Sequence, residues 1–169
     1  MSLGSPRAKV TVVEYASVGC PHCAAWAMEV FPDFKKTYID TGKVRFVYRE
    51  MLTGNSTLAA AGFLTARCAG PARYFQVVDA VYRAQASIVQ TGDAYAPLVK
   101  IAGDAGLSED QFKACLRDDA QVTALKAREQ RAEDDGVTGT PTFVVNGKKV
   151  EGELTLAALG DAIAHAKRK

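Results

Sequence analysis

Long apolar runs, a dominant sign of charge and histidine are what this sequence has least of. No uninterrupted apolar stretch approaches the roughly 18 residues needed to cross a bilayer. Its 169 residues carry 21 basic and 19 acidic side chains, a net charge of +2, so composition gives no reason to expect nucleic acid or an anionic membrane as a partner. Two histidines and four cysteines are too few for a histidine-rich metal site or a disulfide scaffold of this size. No secretory leader is visible, but residues 1–7, beginning MSLGSP, read as an added remnant joined to a mature N-terminus. The missing leader therefore says nothing about compartment. What remains is an ordinary globular composition, 48% hydrophobic and 24% charged, enough to bury a sizeable core.

AKVTVVEYAS (8–17) reads as a buried strand, β-branched and nearly continuously apolar. A helix follows, with Trp26, Val30, Phe34 and Tyr38 at helical spacing and a kink expected at Pro32. KVRFVYREM (43–51) alternates as a second strand. From 55 to 135 strand signals vanish. TLAAAGFLTARCAG stops at Gly70-Pro71, and RYFQVVDAVYRAQ sets Phe75, Val78 and Tyr82 on one face. YAPLVKIAGDAG carries Leu98, Ile101 and Ala105, and SEDQFKACL opens with Ser108 and Gln111 in capping-box spacing. A charged helix over 118–135 shows Val122, Leu125 and Ala132 as a thin apolar stripe. GVTGTPTFVVNGKKVEG (136–152) returns to β, with Asn146-Gly147 as a hairpin turn, and a last helix carries Leu156, Leu159 and Ile163. The order is β-α-β, a helical block, then β-β-α. It predicts an α/β core over 8–54 and 136–169 with an all-helical insertion over 55–135. The closing AKRK reads as a solvated helix end.

The chemistry is concentrated in VGCPHC (18–23). A strand ending near Ser17 and a helix starting at Pro21 put Cys20 at the N-cap, where free backbone N–H groups and the positive dipole end stabilise thiolate. His22, when protonated, adds to this. Cys23, one turn deeper on the same face, can form a disulfide with Cys20 and keeps a higher pKa because it is buried. Cys20 is thus read as the exposed sulfur that is attacked, and Cys23 as the resolving thiol. A zinc site would need Cys68 and Cys115 to converge on the pair from separate helices, since there is no second C-x-x-C. A static staple closing so short a loop would constrain almost no chain entropy.

VVEYASVGCPHC together with GVTGTPTFVVNGK resembles the thioredoxin-like proteins and, within them, the DsbA-like thiol–disulfide oxidoreductases. The likeness covers most of the chain, because that family carries a helical insertion between its βαβ and ββα halves. It implies a nucleophilic Cys20, a resolving Cys23, and Pro21-His22 as the variable dipeptide in the form of the oxidising members. Pro141 matches the family's cis-proline, and Thr140 before it would offer its backbone to an extended substrate and tune the site with its side chain. Glu14, six residues before Cys20, matches a buried acid that moves the proton of Cys23; the alternative is an edge-facing solvated glutamate, since a lone Glu in an apolar strand is otherwise costly. The resemblance implies no organic cofactor beyond the Cys20–Cys23 disulfide. It implies reduced, unfolded or partly folded proteins as substrates, a DsbB-like membrane reoxidant, a monomer, and a periplasmic or other extracytoplasmic location. Threonine before the cis-proline leaves oxidase and isomerase both open, with a reductase on the same scaffold as a further alternative, although an isomerase of this kind would normally dimerise through an N-terminal extension. A non-catalytic zinc-binding or interaction module is the reading from another class.

Cys68 and Cys115 both point inward on helical spacing. They are either two buried free thiols or a structural disulfide of the kind some DsbA-like relatives carry. Tyr74, Tyr82, Tyr95 and Phe75 read as core rather than as a binding patch, and His165 as solvated near a helix end.

Overall fold

The computed structural model describes residues 1–150 and 155–166. Its centre is β2 (Val10–Ala16), which pairs in parallel with β3 (Val44–Glu50) on one side and antiparallel with β4 (Thr142–Val145) on the other. None of its side chains is exposed on either face of the sheet, which explains its near-continuous apolar sequence. β5 (Lys148–Val150) and β1 (Ser2–Leu3) complete the order β1-β3-β2-β4-β5. Residues 1–7, read from sequence as a remnant joined to a mature N-terminus, include an edge strand, with Ser2 opposite Val47 and Leu3 opposite Phe46. The β4–β5 turn places Asn146 and Gly147 at φ 45° and 83°, the left-handed pair that a two-residue hairpin requires. The end of the sequence-predicted hairpin (151–152) and most of the basic tail lie outside the described residues.

α1 (Pro21–Glu29) stops at Val30, and a new helix, α2 (Phe31–Phe34), runs into a π-helical turn at Lys35–Ile39. The single kinked helix expected at Pro32 is therefore a break. Pro32 falls in the first turn of α2, where its missing N–H removes no helical hydrogen bond.

Five helices lie between β3 and β4: α3 (Ser56–Cys68), α4 (Tyr74–Thr91), α5 (Tyr95–Asp104), α6 (Glu109–Leu116) and α7 (Asp119–Asp134). Asn55 caps α3, accepting from Leu58 N at 3.0 Å, and Ser108 with Gln111 forms the expected capping box on α6. Cys68 and Cys115 are joined as a disulfide with their Cα atoms 6.3 Å apart, tying the end of α3 to α6. The helical block does not have a core of its own. Phe63, Tyr74, Val81 and Phe112 belong to one buried cluster with Trp26, Phe34, Phe46 and Phe143, and Leu159 and Ile163 of α8 (Leu156–Ala166) close it from below. A smaller cluster of Tyr15, Met51, Ala132 and Val137 sits apart from it, where β2 meets the end of α7. Of the four aromatics read as core, Tyr74, Tyr82 and Phe75 pack inward. Tyr95 is 49% exposed and donates its hydroxyl to Glu109.

Candidate active site at Cys20 and Cys23

The turn from β2 into α1 is fixed from three sides. Ser17 ends the strand: its carbonyl accepts from Cys20 N at 3.0 Å, and its hydroxyl accepts from Gly19 N at 3.1 Å and donates to Thr53 O at 2.8 Å. Asn55 N donates to Gly19 O at 3.0 Å. Gly19 and Gly54 (φ +71°) lie so close that a Cβ on either would collide with main chain across the gap. From beneath, Gln85 of α4 donates to Val18 O at 2.7 Å and to Cys20 O at 3.2 Å. Cys20 is left in extended geometry (φ −97°, ψ 122°) as the N-cap, with Pro21 opening the helix.

The pair is in the dithiol form. Cys20 is 6% exposed and Cys23 0%. The expected asymmetry is present, but Cys20 is not the open sulfur read from sequence. The loop before β4 lies over it, and its Sγ–H donates to Thr140 O at 3.4 Å. The Cys20 thiol is pulled down to about 5, chiefly by the thiol of Cys23 donating to it. The Thr140 hydroxyl and the N–H groups of Cys23 and His22 add to this, while burial opposes it. The helix end named by the sequence argument thus contributes, but the neighbouring thiol leads. Cys23 moves the other way, pushed up by burial, by the same thiol–thiol bond and by the charge of Glu14. That opposition separates a good leaving group from a thiol that holds its proton.

Glu14 is 2% exposed, in mid-strand opposite Tyr48 on one side and Phe143 on the other, so it is not a solvated edge residue. Burial, then the charge of Cys20, raises its pKa well above the ordinary carboxylate value. It lines a cavity of about 50 Å³ with Trp26, Phe46, Tyr48, Asp79 and Tyr82, in which the hydroxyls of Tyr48 and Tyr82 meet at 2.7 Å. The cavity has room for a few waters beside a buried carboxyl.

The Thr140–Pro141 peptide is cis. Pro141 is half-buried beside the pair, and Pro21 and His22 stand exposed on its rim. His165, on α8, is exposed and bonded to Asp161 O of its own helix. Among the described residues no three His, Cys, Asp or Glu side chains are placed to hold a metal ion together, and Cys68 and Cys115 are tied to each other. The four-thiolate zinc arrangement therefore lacks its ligand set.

Sequence reasoning missed Ser17, Thr53 and Gln85, which hold the site. Gln85 had a signal: it is the lone polar residue on the buried face of α4, between Tyr82 and Ile88. It also missed Glu50, fully buried at the end of β3, which accepts from Arg67 Nε and Tyr74 Oη at 2.7 Å each and pairs with Arg128.

A family described as thioredoxin matches residues 1–165. A putative protein-disulfide oxidoreductase of Rickettsia conorii is 34% identical over 98% of this chain, which spans 60% of that relative's length. A probable disulfide bond formation protein D of Bacillus anthracis is 31% identical over 86% of this chain and 69% of its own. In structure, alpha-DsbA1 of Wolbachia pipientis superposes with a TM-score of 0.86 at 27% identity, over 98% of this chain and 89% of that one. BdbD of Bacillus subtilis, at 20% identity and a TM-score of 0.89, shares the fold. With a buried C-P-H-C pair at a helix N-terminus facing a cis-proline loop, and a helical insertion between the two halves of the sheet, the chain belongs to the thioredoxin family, in its DsbA-like branch.

Proposed function

We propose that this chain is a thiol–disulfide oxidoreductase whose Cys20–Cys23 disulfide is donated to reduced, unfolded or partly folded proteins. The observation that carries this reading is the opposed pair of thiols, Cys20 held near 5 and Cys23 held protonated. A substrate thiolate attacks Cys20 Sγ, a substrate–Cys20 disulfide forms, and Cys23 leaves with the electron pair. Glu14, buried beneath and protonated because of its raised pKa, supplies the proton that Cys23 takes up. A second substrate thiolate then attacks the substrate sulfur and expels Cys20 as a stable thiolate. The substrate is oxidised by two electrons and the pair is left as the dithiol. Stabilising the Cys20 thiolate stabilises the reduced form, which makes the disulfide the stronger oxidant.

Thr140, with its carbonyl beside Cys20, and Pro141 receive the extended substrate; Pro21 and His22 form the exposed rim it meets. No helix among the described residues is long and apolar enough to cross a membrane. Work outside the cytoplasm, as a monomer recharged by a DsbB-like membrane oxidant, completes the proposal and follows from the family resemblance. The test is equilibration in graded glutathione buffers, with the oxidised fraction of Cys20–Cys23 read by alkylation and mass. A midpoint near about −120 mV supports disulfide donation, and one near about −270 mV assigns the chain to reduction instead.

A further inference from the structure

Residues 51–55 run between the two halves of the site, and Thr53 is bonded to both. Its carbonyl oxygen accepts from Ser17 Oγ at 2.8 Å, which fixes it to the turn that carries Cys20. Its hydroxyl meets the hydroxyl of Thr140, in the loop that lies over the sulfur. The preceding residue is anchored as well, since Leu52 N donates to Glu129 Oε1 of α7 at 3.1 Å.

The Thr140 hydroxyl has one proton to give. Its residue already meets the outer sulfur, since Cys20 Sγ lies 3.4 Å from Thr140 O, and its hydroxyl is near enough to act on the sulfurs of both Cys20 and Cys23. A thiolate has no proton to donate, so the bond between Thr140 and Cys20 in its charged form must use the Thr140 proton. In the Thr53–Thr140 bond the donor is then Thr53.

We propose that Thr53 is a positioning residue for the redox pair: its hydroxyl donates to Thr140 Oγ1 and thereby turns the Thr140 proton onto the sulfur of Cys20. The arrangement is a chain, Thr53 O–H to Thr140 O–H to sulfur, in which each bond polarises the next. A disulfide sulfur is a weak acceptor, so the chain strengthens only when the pair is reduced and Cys20 is charged. Thr53 thereby biases the pair toward its dithiol form without touching the sulfur. This rests on the oxidoreductase reading for its consequence, but not for its test.

The variants are Thr53→Val, which removes the hydroxyl and nearly keeps the shape, Thr53→Ser, which keeps the hydroxyl, Thr140→Val, and the pair Thr53→Val with Thr140→Val. Two readouts are taken on each: the thiol–disulfide equilibrium with glutathione, and the pH titration of Cys20 by ultraviolet thiolate absorbance. Thr53→Val is expected to make the disulfide about two- to fourfold less oxidising and to weaken the Cys20 acidity by the same factor. Thr53→Ser restores both. In the Thr140→Val background the Thr53 change adds nothing, because its only route to the sulfur is gone. Wild-type values in Thr53→Val, failure of Thr53→Ser to restore them, or an equal shift in the Thr140→Val background would each overturn the proposal. A wild-type protein that does not exchange with glutathione defeats the function proposed above, while the thiolate titration still reads Thr53 by itself.

Discussion

The held-down Cys20 thiol ties folding stability to pH in the reduced protein alone. Folded, Cys20 titrates near 5; in the unfolded chain an ordinary cysteine titrates at roughly 8.5. Between those values the unfolded state carries a proton that the folded state has released, so stability rises with pH. The contribution is complete above the unfolded value and is lost as pH falls through about 5. At pH 7 the two-unit distance is worth about 2.7 kcal/mol, at about 1.36 kcal/mol per unit. The sulfur lies just under a rim formed by the exposed Pro21 and His22, and screening leaves about half of this, ~1.4 kcal/mol. Glu14 runs the opposite way: its raised pKa costs stability as pH climbs above the ordinary carboxylate range. Burial, the larger cause of that shift, acts in both redox forms, so subtracting one form from the other leaves chiefly Cys20. The assay is urea unfolding of the reduced and the oxidised protein from pH 5 to pH 8. The reduced form should gain on the oxidised one by about 1–2 kcal/mol between pH 5 and 7, and continue to gain above it. A difference that stays flat across that range would refute the claim that Cys20 is a thiolate at neutral pH. By the thermodynamic cycle it would also remove the source of the oxidising power proposed for the pair.

Two other perturbations separate scaffold from chemistry. Replacing Cys68 and Cys115 by alanine opens a loop spanning 47 residues, and in the chain-entropy account this should cost about 4 kcal/mol of stability in urea. The glutathione equilibrium of Cys20–Cys23 should stay where it was, and a loss below about 1 kcal/mol would mean that the helical block holds together without its bridge. Glu14→Gln keeps the shape but gives up the transferable proton, so exchange with a peptide dithiol should slow by about tenfold to a hundredfold at neutral pH. An unchanged rate would take Glu14 out of the proton path.

Local signals were legible. Proline after Cys20 marked the helix start, the Asn146-Gly147 pair marked the hairpin, and the change of periodicity after residue 55 marked the helical block. What could not be read depends on partners far along the chain. Cys20 looked open because the loop that covers it is 120 residues away. Thr53 looked like any loop threonine because its bond to Thr140 spans 87 residues. Glu50 falls on the buried phase of its strand with Val44, Phe46 and Tyr48, and only the approach of Arg67, Tyr74 and Arg128 makes a buried carboxylate tolerable there. Pro32 misled for a more local reason. Proline breaks a helix in its interior and suits the first turn of the next, and spacing alone does not say which of the two it occupies.

The two sulfurs sit one turn apart on the same helix, so what separates them must come from outside it. Each half of the fold acts on one of them. The cis-proline loop, held by Thr53, offers Thr140 to Cys20 and favours its charge. The sheet places Glu14 beneath Cys23, where burial and a like charge keep the thiol protonated. The protonated Cys23 is then the principal donor to the Cys20 thiolate. Glu14 therefore acts on Cys20 through Cys23. In the proposed reaction, Glu14 when charged keeps the proton on the inner sulfur and so supports the thiolate on the outer one; when protonated, it supplies the proton that Cys23 takes up as the disulfide opens. A carboxyl with an ordinary pKa could do the first at neutral pH but not the second. In that proposed reaction, burial at the centre of the sheet is what lets one residue do both.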